Sequence, residues 1–381
     1  MTEKNKSGMM FDRRLIQFFD WGLLMLTLTL LAIGMVALCS ALFSGKIDIP
    51  NPNSALLMKQ LIAIGIGIAS MIFILFIDYR HLDRWSYVIY FLTLLLLIYV
   101  LYHGRLVAGS RRWIVLGMLR FQPSEIAKLT VILVLGHYYS KIITDQGLSF
   151  KDLIIPLILT GLPCLFVLKQ PDLGTAGLIF LNASIMTWFV KVKKRTLTAI
   201  IVILLISLPL GWCFMLKDYQ RERIMSFLDP ARDPLGSGYH VIQSKIAIGS
   251  GRLFGKGFLK GTQNDLAFLP EQHTDFIFSV LAEEWGFVGA FTVIITYLIL
   301  ILWILYVASV SKDIFGKTVS VGICAMFFWQ VVINIGMVMG LMPVVGVTLP
   351  LISYGGSSIV TSLLGIGIVL NISMRRYMFD V

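Results

Sequence analysis

Polar residues along this chain are gathered into short clusters, and the intervals between clusters are long apolar runs with no strand-like alternation. A helix that crosses a bilayer needs about 20 largely apolar residues. Ten stretches meet or approach that length: 20–43, 56–77, 85–103, 124–140, 153–168, 174–190, 196–216, 287–309, 318–341 and 351–373. The fourth to sixth are short and carry polar residues. No fixed-period repeat is visible. The pattern predicts an all-α, polytopic integral membrane protein of ten transmembrane helices in one domain, 1–381, with a large extracytoplasmic loop, 217–286, between spans seven and eight. The first run reads as a span and not as a signal peptide, because it is long and lacks a convincing cleavage pattern.

Composition agrees. Of 381 residues, 57% are hydrophobic and 14% charged, with a mean hydropathy of +0.84, where soluble chains are about 45–50% apolar and about 25% charged. A soluble enzyme and a disordered chain are both ruled out. The four cysteines, Cys39, Cys164, Cys213 and Cys324, lie inside apolar runs, so neither a disulfide framework nor a zinc spacing is present. His81, His103, His137, His240 and His273 show no ligand spacing either, and no histidine metal site is expected.

The net charge is +11, and its placement orients the chain. Cytoplasmic loops collect Lys and Arg. With the N-terminus inside, the inner segments receive Arg80, Arg84, Lys141, Lys151, the cluster Lys193–Arg195, Lys312, Lys317, Arg375 and Arg376. Both termini are then cytoplasmic.

Two outer segments break this charge rule. Segment 104–123 holds Arg105, Arg111, Arg112 and Arg120 with no acidic residue. Headgroup snorkelling around Trp113 would account for them. So would an anionic ligand such as a lipid-linked phosphate, which arginine forks bind well. Segment 217–286 is about 70 residues without a spanning run, far beyond the usual loop length; it reads as an ordered outer lid carrying short helices.

The chemistry-bearing residues sit beside these segments. In Leu269–Phe278, Thr274 or Asp275 can cap a helix with an apolar first turn. Asp275 is equally placed as a general base, a carboxylate held against Phe276 and Phe278. Glu283 follows Asp275 by eight residues, about 12 Å along a helix and about 80° around it. It is either a supporting carboxylate or part of a solvated acidic helix end with Glu284. At the start of span four, Pro123 breaks the chain, Ser124 can cap, and Glu125 and Lys128 share a helical face, as a structural ion pair or as part of a site. Asp172 lies in Pro171-Asp172-Leu173-Gly174, an ordinary turn signal. Ser353-Tyr354-Gly355-Gly356-Ser357-Ser358 opens span ten, where the glycine pair permits a bend.

These motifs, in this order, are the basis of a resemblance. Phe121–Lys128, Gln170–Thr175, Asp229-Pro230 with Asp233–Gly236, Gln243–Gly251, His273–Phe278 and Ile352–Ser358 together make the chain similar to SEDS proteins (shape, elongation, division and sporulation), over nearly its whole length. Gln272, Ala282–Gly286 and Val344–Val347 resemble the rod-shape branch, whereas Thr348 stands where that branch usually has proline.

The resemblance implies a peptidoglycan glycosyltransferase of the bacterial inner membrane that polymerises lipid II into glycan strands on the outer face during elongation. It places the family's catalytic aspartate on Asp275 and its other important polar positions on Glu125, Lys128 and Asp172. Asp275 would take the proton of the acceptor hydroxyl. Arg111, Arg112, Arg120, Lys128 or a divalent cation, Mg or Mn, would meet the departing pyrophosphate. The attack inverts the anomeric centre to a β-1,4 bond, and the lipid-pyrophosphate bond supplies the energy, so no ATP site is needed. The implied partners are a class B penicillin-binding transpeptidase and other membrane proteins of the elongation complex, with no nucleic acid. Two rivals remain: a lipid II flippase, which needs access from both leaflets, and a scaffold, which needs neither Asp275 nor the charges on span four.

Overall fold

The computed structural model describes residues 17–43, 54–107, 110–117, 119–142, 147–199, 221, 225, 227, 229, 237–262 and 273–376. Within them the apolar runs are helices: α1 (Trp21–Phe43), α2 (Ser54–Phe76), α3 (Tyr79–His103), α4 (Pro123–Ile142), α5 (Ile154–Lys169), α6 (Leu173–Phe189), α7 (Ser237–Ser250), α8 (Ile277–Val310), α9 (Ile314–Val338) and α10 (Gly356–Arg375). Nine of the ten expected stretches fall on helices. The seventh, 196–216, is helical through residue 199 and otherwise lies outside the described residues. Among the described residues, seven helices are long and apolar enough to cross a membrane: α1, α2, α3, α5, α8, α9 and α10. Helix α4 carries Glu125, Lys128 and Lys141, and α6 has only 17 residues.

Helix ends follow local chemistry. Asp78 and Asp313 cap α3 and α9, accepting from the amides of Arg80 and Gly316. Proline does not break the chain at residue 123; it is the first residue of α4, where its missing N–H costs nothing and its fixed φ suits a helix. Ser124 is therefore inside the helix and not its cap.

Interhelical packing in lipid has no hydrophobic drive and relies on close fit. Helices α4, α9 and α10 form the buried centre. Helix α10 runs along α2, α9 packs against α4, α6 and α8, and α3 flanks α4. Outside them, α3 turns Phe91, Leu92 and Leu95 outward, as expected for a helix facing lipid.

Two features depart from the sequence reading. The basic segment between α3 and α4 is a three-stranded antiparallel sheet, β1 (Arg105–Val107), β2 (Ser110–Leu116) and β3 (Leu119–Phe121), in the order β1-β2-β3. Trp113 pairs with Arg105 and Ile114 with Phe121. The fold is mostly helical, with this one ribbon, and not purely α. The run Trp113-Ile114-Val115 has the aromatic and β-branched content that favours a pleated surface.

The second departure is α8: the helix expected after Asp275 begins at Ile277, but it continues into the span expected at 287–309, so residues 277–286 belong to that helix and not to the loop. It reaches 34 residues because two helices join across Gly286, whose φ of 65° and ψ of −163° interrupt the helix. A side chain there would be forced into the left-handed region and against the backbone of Gly255. The interruption frees backbone groups, and segment 252–257 satisfies them. The amides of Lys256 and Gly257 donate to the carbonyls of Glu283 and Glu284 at 3.0 and 2.9 Å, and the amides of Phe287 and Val288 donate to Arg252 and Leu253 at 2.8 and 3.1 Å.

Candidate active site

The starts of α4, α6 and α10, the segment before α8, and the connection between α9 and α10 converge at one end of the bundle. They enclose a chamber of about 550 Å³. Glu125, Lys128, Asp172, Asp275, Arg112 and Arg120 all line it. The residues come from sequence positions 112 to 275, and only the folded bundle brings them together.

On the first turn of α4, Lys128 Nζ stands 2.9 Å from each Glu125 carboxylate oxygen. The Lys128 side chain is 1% exposed and that of Glu125 10%. Burying two charges is costly unless they pair and face a polar space; here the pair meets both conditions. Asp172 is the N-cap of α6, as its turn signal suggests, accepting from the Thr175 amide at 3.2 Å and its hydroxyl at 2.9 Å. It also accepts from Gln122 Nε2 at 2.9 Å, which ties α6 to the start of α4.

The arginines separate. Arg112 Nε donates to the Gln170 carbonyl at 2.9 Å, and its Nη2 to the next carbonyl, Pro171, so its guanidinium is held at the chamber wall. Arg111, its neighbour on β2, donates to the Tyr102 carbonyl at 2.9 Å and does not line the chamber. Arg120 is exposed at the rim, Arg112 half-buried, and Lys128 buried, so positive charge continues from the rim to the floor.

Asp275 occupies the tight turn before α8. The N-cap of that helix is Phe276, with no side-chain cap, so neither Thr274 nor Asp275 serves as the cap. The backbone is pinned instead: Asn334 Nδ2 donates to the Asp275 carbonyl at 2.9 Å and to the Val347 carbonyl at 2.7 Å. The Tyr354 amide donates to the His273 carbonyl at 2.9 Å. The carboxylate itself faces Gly346, where a Cβ would lie 3.4 Å from Oδ2 and where φ is +71°.

Glu283 lies apart from the chamber. It and Glu284 are 1% and 2% exposed, so this is no solvated helix end. Lys256 Nζ donates to Glu283 Oε1 at 2.6 Å and Thr262 Oγ1 to the same oxygen at 3.1 Å, while Ser40 donates to Glu284. Both glutamates brace the segment docked at the α8 interruption.

Sequence reasoning missed Lys59 and Gln330 and read Tyr354, Ser357 and Ser358 only as part of a bend; all of them line the chamber. A signal existed for two. Lys59 is a lone cation near the start of an apolar run, and Gln330 and Asn334 are polar residues four apart on one face of α9. Ser357 accepts from the Gln122 amide at 2.9 Å and donates to the Arg120 carbonyl at 3.1 Å, joining α10 to the ribbon. Burial raises the Tyr354 phenol above its ordinary pKa, and Arg120 draws it part of the way back, so it remains a neutral hydrogen-bonding group at physiological pH. Among the described residues no three His, Cys, Asp or Glu side chains converge as a metal-ligand set.

A bundle of apolar helices long enough to cross a bilayer, with a charged chamber at one end, defines an integral membrane protein. Residues 21–378 match the family model described as cell cycle protein, FtsW/RodA/SpoVE, and the chain belongs to that family. It is 41% identical over 361 residues to the peptidoglycan glycosyltransferase MrdB of Escherichia coli K12, covering 95% of each chain. Among solved structures it superposes on a chain of a complex described as "Structural coordination of polymerization and crosslinking by a peptidoglycan synthase complex". There the TM-score is 0.79 and the identity 34%, covering 94% of this chain and 98% of the other. It also superposes on the rod shape determining protein RodA of Thermus thermophilus, with TM-score 0.69 and 32% identity over 94% and 98% of the two chains.

Proposed function

We propose that the chamber polymerises lipid II, with Asp275 as the general base. That the chain is a peptidoglycan glycosyltransferase follows from its family and from relatives of that name matching 94–95% of its length. The observation that supports the finer reading is the sharing of one chamber by the Asp275 carboxylate and the cations Lys59, Arg112, Arg120 and Lys128.

In this reading the acceptor's 4-hydroxyl attacks the anomeric carbon of the donor sugar. The new C–O bond forms as the bond from that carbon to the pyrophosphate breaks, and the hydroxyl proton passes to Asp275. A positioned base typically contributes about 10²–10⁴ in rate. Negative charge grows on the departing pyrophosphate, and fixed cations in a partly dry cavity stabilise it more than water would. Inversion at the anomeric carbon turns the α-linked phosphate into a β-1,4 bond. Arg112 and Arg120 suit the pyrophosphate because guanidinium forks fit phosphate oxygens. Glu125 and Asp172 hold Lys128 and Gln122 in place.

The remaining assignments belong to the same proposal. The chain crosses the bacterial inner membrane ten times with both termini cytoplasmic, which puts the chamber and segment 217–286 outside. The partner is a class B penicillin-binding transpeptidase; a similar chain sits in a complex described as coordinating polymerization and crosslinking. A flippase, the rival reading, would need the chamber to continue to the opposite end of α4, which its lining residues do not reach.

The deciding experiment is glycan synthesis from purified lipid II by the full chain with its transpeptidase, beside Asp275→Asn. Strands made by the wild type and absent with the folded, assembled variant are expected. An active Asp275→Asn enzyme would remove the base. No strands from the intact wild-type complex would favour lipid II transport, which a liposome flipping assay measures.

A further inference from the structure

At the end of the bundle opposite the chamber lies a second cleft, of about 750 Å³, that catalysis does not use. Lys128 and Lys141 are thirteen residues apart on α4, which separates the two sites by about 20 Å. Four cations line the cleft: Arg80 and Arg84 from α3, Lys141 from α4, and Lys312 from the turn before α9. They share the cleft with two carboxylates, Asp83 and Asp313. Asp83 Oδ1 lies 2.8 Å from His137 Nδ1; Asp313 accepts from the Gly316 amide at 2.8 Å and from the Tyr79 hydroxyl. Helices α3 and α9 also begin here and direct the positive ends of their dipoles toward it.

The side chains leading away from the cleft suggest what occupies it. Arg80, Arg84, Val88, Phe91 and Leu95 recur at helical spacing along one stripe of α3. The stripe is cationic at the cleft and apolar beyond it, with Val88, Phe91 and Leu95 all exposed. Trp85 and Tyr87, 55% and 45% exposed, flank the change, as aromatic residues do at the water–lipid boundary. A soluble anion would use the cationic half alone, and an acidic peptide would find hydrocarbon where its chain must run. A two-chained anionic lipid matches both halves.

We propose that this cleft is a binding site for an anionic phospholipid, with the phosphodiester among Arg80, Arg84 and Lys141 and the acyl chains along α3. Basic pockets between transmembrane helices bind such headgroups, and each Lys or Arg near the surface strengthens binding about fivefold. The site is independent of the chemistry assigned to Asp275.

The test is native mass spectrometry and thermal unfolding of the full-length protein in nanodiscs of dioleoyl-phosphatidylglycerol or dioleoyl-phosphatidylcholine. The variants are Arg84→Gln/Lys141→Gln and Arg80→Gln/Arg84→Gln/Lys141→Gln, changes confined to exposed side chains. Expected are phosphatidylglycerol adducts that outlast phosphatidylcholine adducts, decline about fivefold per cation removed, and weaken with salt in the wild type. Variant unfolding in phosphatidylcholine should match the wild type. Equal retention of the two lipids, or adducts unchanged in the triple variant, would overturn the proposal. Displacement by millimolar inorganic phosphate would assign the cleft to a soluble anion instead. Displacement by polyglutamate would assign it to an acidic protein segment.

Discussion

Asn334, on α9, holds the backbone of Asp275. Its single amide nitrogen donates to the Asp275 carbonyl and to that of Val347, binding the turn before α8 to the connection that leads into α10. Asn334 is fully buried, so the two bonds it donates are shielded from water. Asn334→Ala removes both bonds, at a cost of about 0.5–1.5 kcal/mol for each. The melting temperature should fall, and glycan synthesis per folded molecule should fall further. Unchanged melting together with full activity would show that the clamp is dispensable.

Gly346 presents the opposite wall to the Asp275 carboxylate. An alanine there needs a left-handed backbone and sets its methyl 3.4 Å from Oδ2. Strained non-glycine positions of this kind cost about 1–3 kcal/mol. Gly346→Ala should lower turnover of lipid II more than it lowers stability, because the methyl occupies space beside the base. A variant with wild-type turnover would mean that the acceptor approaches Asp275 from another side.

The Glu125–Lys128 pair can be separated into structural and chemical parts. Lys128→Met strands a buried carboxylate, and removing one partner of such a pair costs about 3–5 kcal/mol. Glu125→Gln/Lys128→Met removes both charges and should recover most of the melting temperature. Activity should stay lost in the double variant if the pair serves the chamber, and return if it serves packing alone.

Lys256 neutralises Glu283 from a segment outside the chamber. Lys256→Met should lower the melting temperature by leaving a 1%-exposed carboxylate without its cation. Activity per folded molecule should be retained, and Lys256→Met/Glu283→Gln should recover stability. Loss of turnover in a fully folded Lys256→Met protein would return Glu283 to the catalytic group.

Much of the fold was legible because a bilayer imposes one rule, that backbone groups be satisfied within the segment, and a long apolar run then has one solution. Glu125 and Lys128 stood out because charge is rare in such runs, Asp275 as a carboxylate at a helix start, and Asp172 through the motif that carries the family resemblance. The ribbon was not legible, since the arginines of 104–123 outweighed the short alternation around Trp113. Nor was the role of Glu283: its cation is 27 residues earlier, across a glycine-rich stretch whose path no local pattern reveals. Lys59 and Gln330 were visible as isolated polar residues, but only packing shows that they face the same space as Asp275.

The interruption at Gly286 makes the first turns of α8 a short crank. Its inner end carries Asp275 and its outer end is grasped by segment 252–257 through four backbone hydrogen bonds. From Ile277 to Gly286 the arm is about 13 Å long, so a tilt of about 5° swings the far end by about 1 Å, a displacement that can change a rate by about 10²-fold. A straight helix of 34 residues would resist such a tilt along its whole length. Here the helix is interrupted at one residue, and a push on a surface segment that does not line the chamber would be carried to its wall.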